Sequence, residues 1–341
     1  MRIYILSKEW ARHGNNSGYQ RIVNYLTIAF KYPKSLKIPF KLASYLKRKT
    51  RVLNYRSETI SKELFILFKV FKSKQVHILY GDMDFYFLHY LKRFPFNLRK
   101  NTLVATFHHP PYELEKRLHY NRKKVLGTLD KIIVMGPNQI SFFKKYSNAD
   151  IKFIPHGINT EITNNLKPIE RKNQLLLVGT SHRDHQRNSD IMKALANDLD
   201  VSFVVIMFME HAKLYKDLPN VTCLTHNVLD NELYNYYASS KGLLMSLKDC
   251  TASNAILEAM VYKCPLIINN VGAVKDYLPE GSGVPVFETD DIQGTLDYIK
   301  KLLNDDNYIN EMVANQQRLV ENYNWTKIAK ETEDFIYSKK N

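Results

Sequence analysis

Apolar residues in this chain fall into short unbroken runs instead of a strict alternation with polar ones. The first half contains "RIYILS", "QVHILYG", "TLVATFHH", "KIIVMG" and "IKFIPHG"; the second contains "QLLLVGT", "VSFVVIMF", "VTCLT", "GLLMSL", "PLIINN" and "VPVF". Stretches of helical length and period separate many of them. A strand that is apolar on both faces is buried on both, which is the situation of a parallel sheet covered by helices. The pattern predicts an α/β chain.

The rhythm breaks at "TNNLKPIERKNQ" (163–174), a polar, proline-containing stretch that precedes a fresh strand. Two doubly wound Rossmann-like domains are therefore expected, 1–160 and 161–324, with the last helix (325–341) returning to the first. In such folds ligands bind at the carboxyl ends of the strands, and a cleft between two domains is the default site.

A length of 341 residues suits two domains, and 45% hydrophobic with 12% aromatic residues supplies ample apolar surface for burial. The net charge of +15 attracts nucleic acid, anionic lipid or a phosphorylated substrate without choosing among them. Cys223, Cys250 and Cys264 have no metal-ligand spacing, and an odd number fits a reducing, cytoplasmic compartment. The longest apolar run, 201–209, is about half of a membrane span. Residues 31–56 carry nine Lys or Arg and no acidic residue. With Leu42, Tyr45, Leu46 and Leu53 able to share a face, this segment reads either as a basic amphipathic helix on an anionic membrane or as a solvated insertion whose apolar side packs on the domain, and Pro33 and Pro39 suit either.

The most specific stretch is "DCTASNAILEAMVYKCPLIINNVGAVKDYL" (249–278). A strand ends, Thr251, Ser253 and Asn254 offer helix caps, and Glu258 follows near the helix start. A carboxylate there can accept two ribose hydroxyls while the free N–H groups before it face a phosphate; the plainer reading is a glutamate complementing the helix dipole. "ILEAMVYKCPLII" and "NNVGAVKDYL" resemble the C-terminal signature of the retaining glycosyltransferases of family 4, which have the GT-B fold. The resemblance implies that Glu258 binds the ribose of a nucleotide-sugar donor. Cys250 stands where the signature has its first glutamate, so contacts to the donor sugar pass to Asp249 or to the Thr251–Asn254 loop. Lys263 takes the place of a glycine cap, where a left-handed backbone costs about 1 kcal/mol.

Further matches extend the resemblance along the chain. After the strand ending at Gly179, "HRDHQRNSD" (182–190) supplies Arg183, with Arg187 as alternate, as the cations that neutralise the donor diphosphate; His182 and His185 are unassigned. "NNSGYQRIVNYL" places Gly18 between the first strand and an amphipathic helix, where backbone can approach a ligand. "TFHH" matches a family motif whose histidine reaches the transferred sugar, which makes His108 the candidate; His109 replaces an aspartate. Pro155, His156, Gly157 and Asn159 would line the hinge.

Together these imply a metal-independent, retaining transfer from a nucleotide-diphosphate sugar, uridine favoured over guanosine, to a glycan or lipid-linked acceptor. The catalytic candidates are His108, Asp249 and Arg183; the donor-binding candidates are Gly18, Gly179, Arg183, Arg187, Thr251, Ser253, Asn254 and Glu258. No cofactor, metal or nucleic acid is expected; bacterial surface-polysaccharide assembly at the inner membrane face is the expected setting. Two other classes stay open: a nucleic-acid-binding protein, on charge and tyrosine content, and a non-catalytic sugar-binding relative, on the missing glutamate.

Overall fold

The computed structural model describes residues 2–7, 18–69, 73–98, 100–163, 169–198, 200–225 and 228–337. Residues 15–17 before Gly18, 164–168 of the predicted linker and 338–341 of the predicted last helix lie outside them. The chain divides into two units: Met1–Glu9, Tyr19–Pro155 and Ile328–Asn341 form the first, Trp10–Gly18 and His156–Lys327 the second.

Each unit is built on a five-stranded parallel sheet, in a Rossmann-like arrangement. In unit 1, β1 (Arg2–Leu6), β2 (Lys74–Ile78), β3 (Thr102–Phe107), β4 (Lys131–Val134) and β5 (Asp150–Phe153) lie side by side in sequence order. Val76 of β2 pairs with Tyr4 on one side and Leu103 on the other. Beyond β1, Lys31 adds an isolated bridge to Tyr4, and the basic segment that follows coils into a helix at Phe40–Thr50. In unit 2, β6 (Lys172–Val178), β7 (Ser202–Ile206), β8 (Val221–Leu224), β9 (Ser240–Met245) and β10 (Leu266–Ile268) have the order 10-9-6-7-8. The chain winds outward from β6 through β8, then starts again on the other side of β6 with β9. The β6–β9 junction is thus a topological switch point, where the loops after two adjacent strands part and leave a crevice. "VPVF" does not form the expected strand: it contributes a single bridge, Phe287 to Asn269, and Pro285 has no N–H to give a ladder.

The alternation along the unit 1 strands explains how its sheet is covered. Val76, Ile78, Leu103, Ala105, Ile132 and Val134 belong to a core shared with Ile60, Ile66 and Leu67 of the helix Ser57–Leu67. Gln75, His77, Thr106 and Lys131, one residue out of phase, are also buried, which costs free energy unless their polar atoms are paired. The final helix, Trp325–Tyr337, supplies partners: Gln75 Nε2 donates to the Ile336 carbonyl at 3.3 Å and Lys131 Nζ to that of Phe335. A helix carboxyl end carries unpaired carbonyls and partial negative charge, which suits a buried ammonium. His77 Nε2 and Thr106 Oγ1 pair at 2.9 Å, and burial pushes the His77 pKa down to about 3, so its ring is neutral.

Candidate functional site

The sequence-predicted donor residues of unit 2 gather at the β6–β9 switch point. After β6 the backbone turns left-handed at Gly179 (φ +86°) and again at His182 (φ +60°) before the helix His185–Asp198. Arg183 is the surprise of this turn. It is 8% exposed, and its guanidinium folds back under its own loop: Nε and Nη2 donate to the Val178 carbonyl at 3.1 and 2.8 Å, and Nη1 to that of Ser181 at 3.2 Å. A Cβ at Gly179 would sit 3.1 Å from Arg183 Nη2. Burial pushes the guanidinium pKa down, and the Glu258 carboxylate lies near enough for its charge to oppose that. Arg183 is therefore a brace of the Gly179 turn whose positive charge is held at the crevice. Arg187 points elsewhere: Nη2 reaches Thr295 Oγ1 at 3.5 Å on the helix Ile292–Asn304, so it does not stand in for Arg183 at the strand end.

The loop after β9 is fixed by two asparagines that sequence reading left out. Asn188 Oδ1 accepts from Ser246 N at 3.0 Å while its Nδ2 donates to the Ser246 carbonyl; Asn269 does the same for Leu247, at 2.7 and 2.9 Å. Both side chains are buried. Each amide plane works as one more strand register, so the carboxyl end of β9 is held from both sides. Asn188 sits four residues after Asp184 within "HRDHQRNSD", and Asn269 ends the strand in "PLIINN", signals that only a known strand neighbourhood makes readable.

Asp249 follows. Its Oδ1 accepts from Cys250 N at 2.7 Å, and burial pushes its pKa up. Gly272 of the "VGA" turn packs on this pair: a Cβ there would lie 2.2 Å from the Cys250 carbonyl and 2.4 Å from Asp249 Oδ1, and its φ is +56°. Cys250 is buried and its thiol pKa is pushed up to about 12, so it offers no charge in place of a carboxylate.

The helix Asn254–Val261 begins as expected but is capped differently. Ser253 holds the cap position with extended backbone and makes no side-chain cap bond. Its carbonyl accepts from Ile256 N at 3.1 Å, so the N–H groups of Asn254 and Ala255 precede the first helical bond. Thr251 is buried beneath the loop. Glu258 is the fifth residue of the helix, in its second turn, not its first. Its Oε2 accepts from the buried Tyr237 hydroxyl at 3.1 Å, and burial with the Glu258 charge keeps Tyr237 protonated. One carboxylate oxygen is thus oriented from below. Lys263 does adopt the left-handed cap, φ +60°, with Cys264 N closing on the Ala259 carbonyl at 2.8 Å.

In unit 1, His108 follows β3. Its Nε2 donates to the Leu79 carbonyl at 2.7 Å, which places the lone pair on Nδ1, and the ring lies 4.9 and 4.8 Å from those of Tyr19 and Tyr80. Burial pushes its pKa down, so it is a neutral imidazole of fixed tautomer. His109 Nε2 lies 3.2 Å from Asp82. Nearer the start of the chain, Gly18 has φ +105° and leads into a six-residue 3-10 helix, Tyr19–Asn24, in place of the amphipathic helix expected there. Among the described residues no group of three or more His, Cys, Asp or Glu is placed to hold a metal ion, and no helix is long and apolar enough to cross a membrane.

Comparison with known proteins bears on unit 2 most directly. Residues 162–305 match the family model described as glycosyl transferases group 1. No curated protein matches the chain by sequence. Solved structures match by fold. A mutant of S. aureus TarM, in complex with fondaparinux, alpha-GlcNAc-glycerol and UDP, superposes with TM-score 0.62 at 15% identity over 83% of this chain and 60% of that one. Sucrose-phosphate synthase from Thermosynechococcus elongatus gives 0.67 at 14% identity over 98% of both chains, and a UDP-forming alpha,alpha-trehalose-phosphate synthase from Burkholderia vietnamiensis gives 0.64 at 13%, over 89% of this chain and 79% of that one. This chain thus spans 60% of the length of TarM. Residues 162–305 thus resemble a group 1 glycosyltransferase domain, within a chain of two Rossmann-like units whose fold is similar to that of solved GT-B structures.

Proposed function

We propose that this protein transfers a sugar from a nucleoside-diphosphate sugar to a glycan or lipid-linked acceptor, with retention of anomeric configuration and without a metal ion. The observation that carries the reading is the switch point of unit 2. There Arg183 holds a buried positive charge under the Gly179 turn, the Asn254 helix offers its leading N–H groups, and Tyr237 orients the Glu258 carboxylate. Cation and N–H groups suit a diphosphate, and a half-buried carboxylate oriented by a tyrosine hydroxyl suits a ribose hydroxyl. Asp249 and Asn254 are assigned to the donor sugar and His108 to a hydroxyl of the transferred sugar or to the leaving oxygen. A uridine donor is favoured, as is service in bacterial surface-glycan assembly from the cytoplasmic membrane face. On the helix Phe40–Thr50, Phe40, Leu42 and Tyr45 are exposed among Lys41, Lys47, Arg48 and Lys49, which supports peripheral membrane contact.

Calorimetric titration with UDP, GDP and ADP tests the donor site. One of them should bind, and Glu258→Ala should weaken it about ten- to hundredfold, the scale of hydrogen bonds to a charged group. Equal affinity in Glu258→Ala and Arg183→Lys would remove the assignment. Cys250 favours a second reading, a sugar-binding relative without turnover, because its buried thiol offers no carboxylate. Slow hydrolysis of the donor without acceptor, unaffected by EDTA, supports the enzyme; binding with no hydrolysis or transfer supports the relative.

A further inference from the structure

Unit 1 contains a cavity of about 550 Å³ that the donor reading does not use. It lies where the carboxyl end of the helix Phe40–Thr50 meets the segment Tyr86–His89 and the start of the helix Arg122–Leu126. Four cations, Arg48, Lys49, Arg51 and Lys124, stand exposed around it. Basic residues in a last helical turn have an ordinary explanation, since they complement the helix dipole. That explanation does not reach the two buried polar atoms in the same wall.

Tyr120 is 7% exposed and its hydroxyl is buried with no hydrogen-bond partner; His89 is 1% exposed and its Nε2 is likewise unpartnered. Burying a polar atom without a partner forfeits its bond to water and gains nothing in return, so each calls for a reason. The tautomer of His89 is set from the other side. Nδ1 donates to the Tyr86 carbonyl at 2.5 Å, which leaves Nε2 with a lone pair that accepts a hydrogen bond. Tyr120 keeps its proton, because burial raises its pKa far above the usual phenol range, so its hydroxyl can donate. Glu63, an acid close by, is already engaged: it accepts from the N–H groups of Tyr86, Phe87 and Leu88 at 2.9, 3.0 and 3.3 Å, and from the Tyr55 hydroxyl. Among the described residues no carboxylate pairs with the four cations. Lys49 lies 4.7 Å over the Tyr45 ring, and Arg51 takes a left-handed φ of +52° to close the helix beside the cavity, the kind of strain that gathers at binding sites.

We propose that this cavity binds a phosphoryl group adjacent to a hydroxyl, the chemistry of a polyol or glycosyl phosphate. The cations and the Tyr120 O–H meet the phosphoryl oxygens, His89 Nε2 accepts from the neighbouring hydroxyl, and the rings of Tyr45 and Tyr86 flank the carbon skeleton. Such a group comes either from a soluble ester or from the headgroup of an anionic lipid. The site is made of unit 1 residues alone and does not rest on the donor reading.

The test uses the full chain with sn-glycerol 3-phosphate by calorimetry, and vesicles of phosphatidylglycerol against phosphatidylcholine by co-sedimentation. Tyr120→Phe deletes only the unpartnered hydroxyl, so it should melt at the same temperature or slightly higher while binding falls about tenfold. His89→Gln and Lys124→Ala should each reduce binding too, and UDP affinity should not change in any of the three. Binding of glycerol 3-phosphate that is lost in Tyr120→Phe assigns a soluble ester; binding confined to phosphatidylglycerol vesicles and weakened by the same variant assigns the headgroup. If neither probe binds, if binding is indifferent to Tyr120→Phe and Lys124→Ala, or if inorganic phosphate binds as tightly as the ester, the proposal is overturned. Failure of UDP binding alone would remove the donor reading and leave this one standing.

Discussion

Gly272 shows how much a single residue decides at the β6–β9 junction. Its backbone is left-handed and its Cα faces the Cys250 carbonyl and Asp249 Oδ1 at a distance no Cβ tolerates. Gly272→Ala should lower stability by about 2 kcal/mol or more, combining left-handed strain with overlap, and should displace Asp249; a urea midpoint equal to that of the unsubstituted protein would show that the loop yields freely. Arg183 works through its side chain instead. Lysine keeps the charge but cannot span the Val178 and Ser181 carbonyls as the guanidinium does. Arg183→Lys should therefore lower the melting temperature as well as nucleoside diphosphate affinity, whereas a purely surface cation would change affinity alone. The place of Arg183 was legible from its spacing after a glycine-ended strand, and that of Gly272 from the turn that follows "LEAM". That Arg183 points under its own loop was not, because side-chain direction depends on a left-handed His182 that no sequence rule assigns.

At the level of elements, polar side chains tie neighbouring segments where the backbone leaves gaps. Asn188, from the helix His185–Asp198, completes the register of β9 at Ser246. Asn188→Ala should cost about 2 kcal/mol for two bonds left unmade, and chemical denaturation followed by tyrosine fluorescence measures it. Glu63 plays the same part between the helix Ser57–Leu67 and Tyr86–Leu88, and its contribution depends on pH. Burial pushes its pKa from 4.5 up to about 8, outweighing the three N–H bonds that pull it down. Between those values the folded chain holds a proton that the unfolded chain has released. Stability should thus fall as pH rises from about 4.5 through about 8 and level off above, with a slope from this group approaching about 1.4 kcal/mol per pH unit. Urea midpoints at pH 5, 6, 7 and 8 should show that decline, and Glu63→Gln should flatten it even though it destabilises the fold overall. An unchanged slope in Glu63→Gln would assign the decline to other groups. Most strands were visible as apolar runs, but "VPVF" was not one of them, since apolar content cannot replace the N–H that Pro285 lacks.

Across the whole molecule the chain passes from unit 1 to unit 2 at Pro155–His156 and back at Lys327–Ile328. The returning helix covers the polar-bearing face of the unit 1 sheet, and its last carbonyls take up Gln75 and Lys131. A chain ending at Lys327 should lose the cooperative unfolding of unit 1, because the sheet face would lose its cover and the buried Lys131 ammonium its bond to the Phe335 carbonyl; circular dichroism melting identical to the full chain would contradict this. The membrane contact proposed for the helix Phe40–Thr50 is also tested at this scale. Phe40→Ser with Leu42→Ser should reduce binding to anionic vesicles while leaving nucleoside diphosphate affinity intact, and undiminished co-sedimentation would end the membrane reading.

The sequence by itself determined the α/β class, the two-unit plan and the residues gathered at unit 2's carboxyl edge, because these follow from local apolar patterning and from motifs contiguous in the chain. Only the tertiary structure decided that Glu258 lies in the second helical turn against Tyr237, that Asn188 and Asn269 hold β9, and that Tyr120 and His89 share a wall with four cations. The reason is physical: a hydrogen bond or an unpaired buried atom is a relation between segments tens of residues apart, and no local rule of propensity or period encodes which of them will meet.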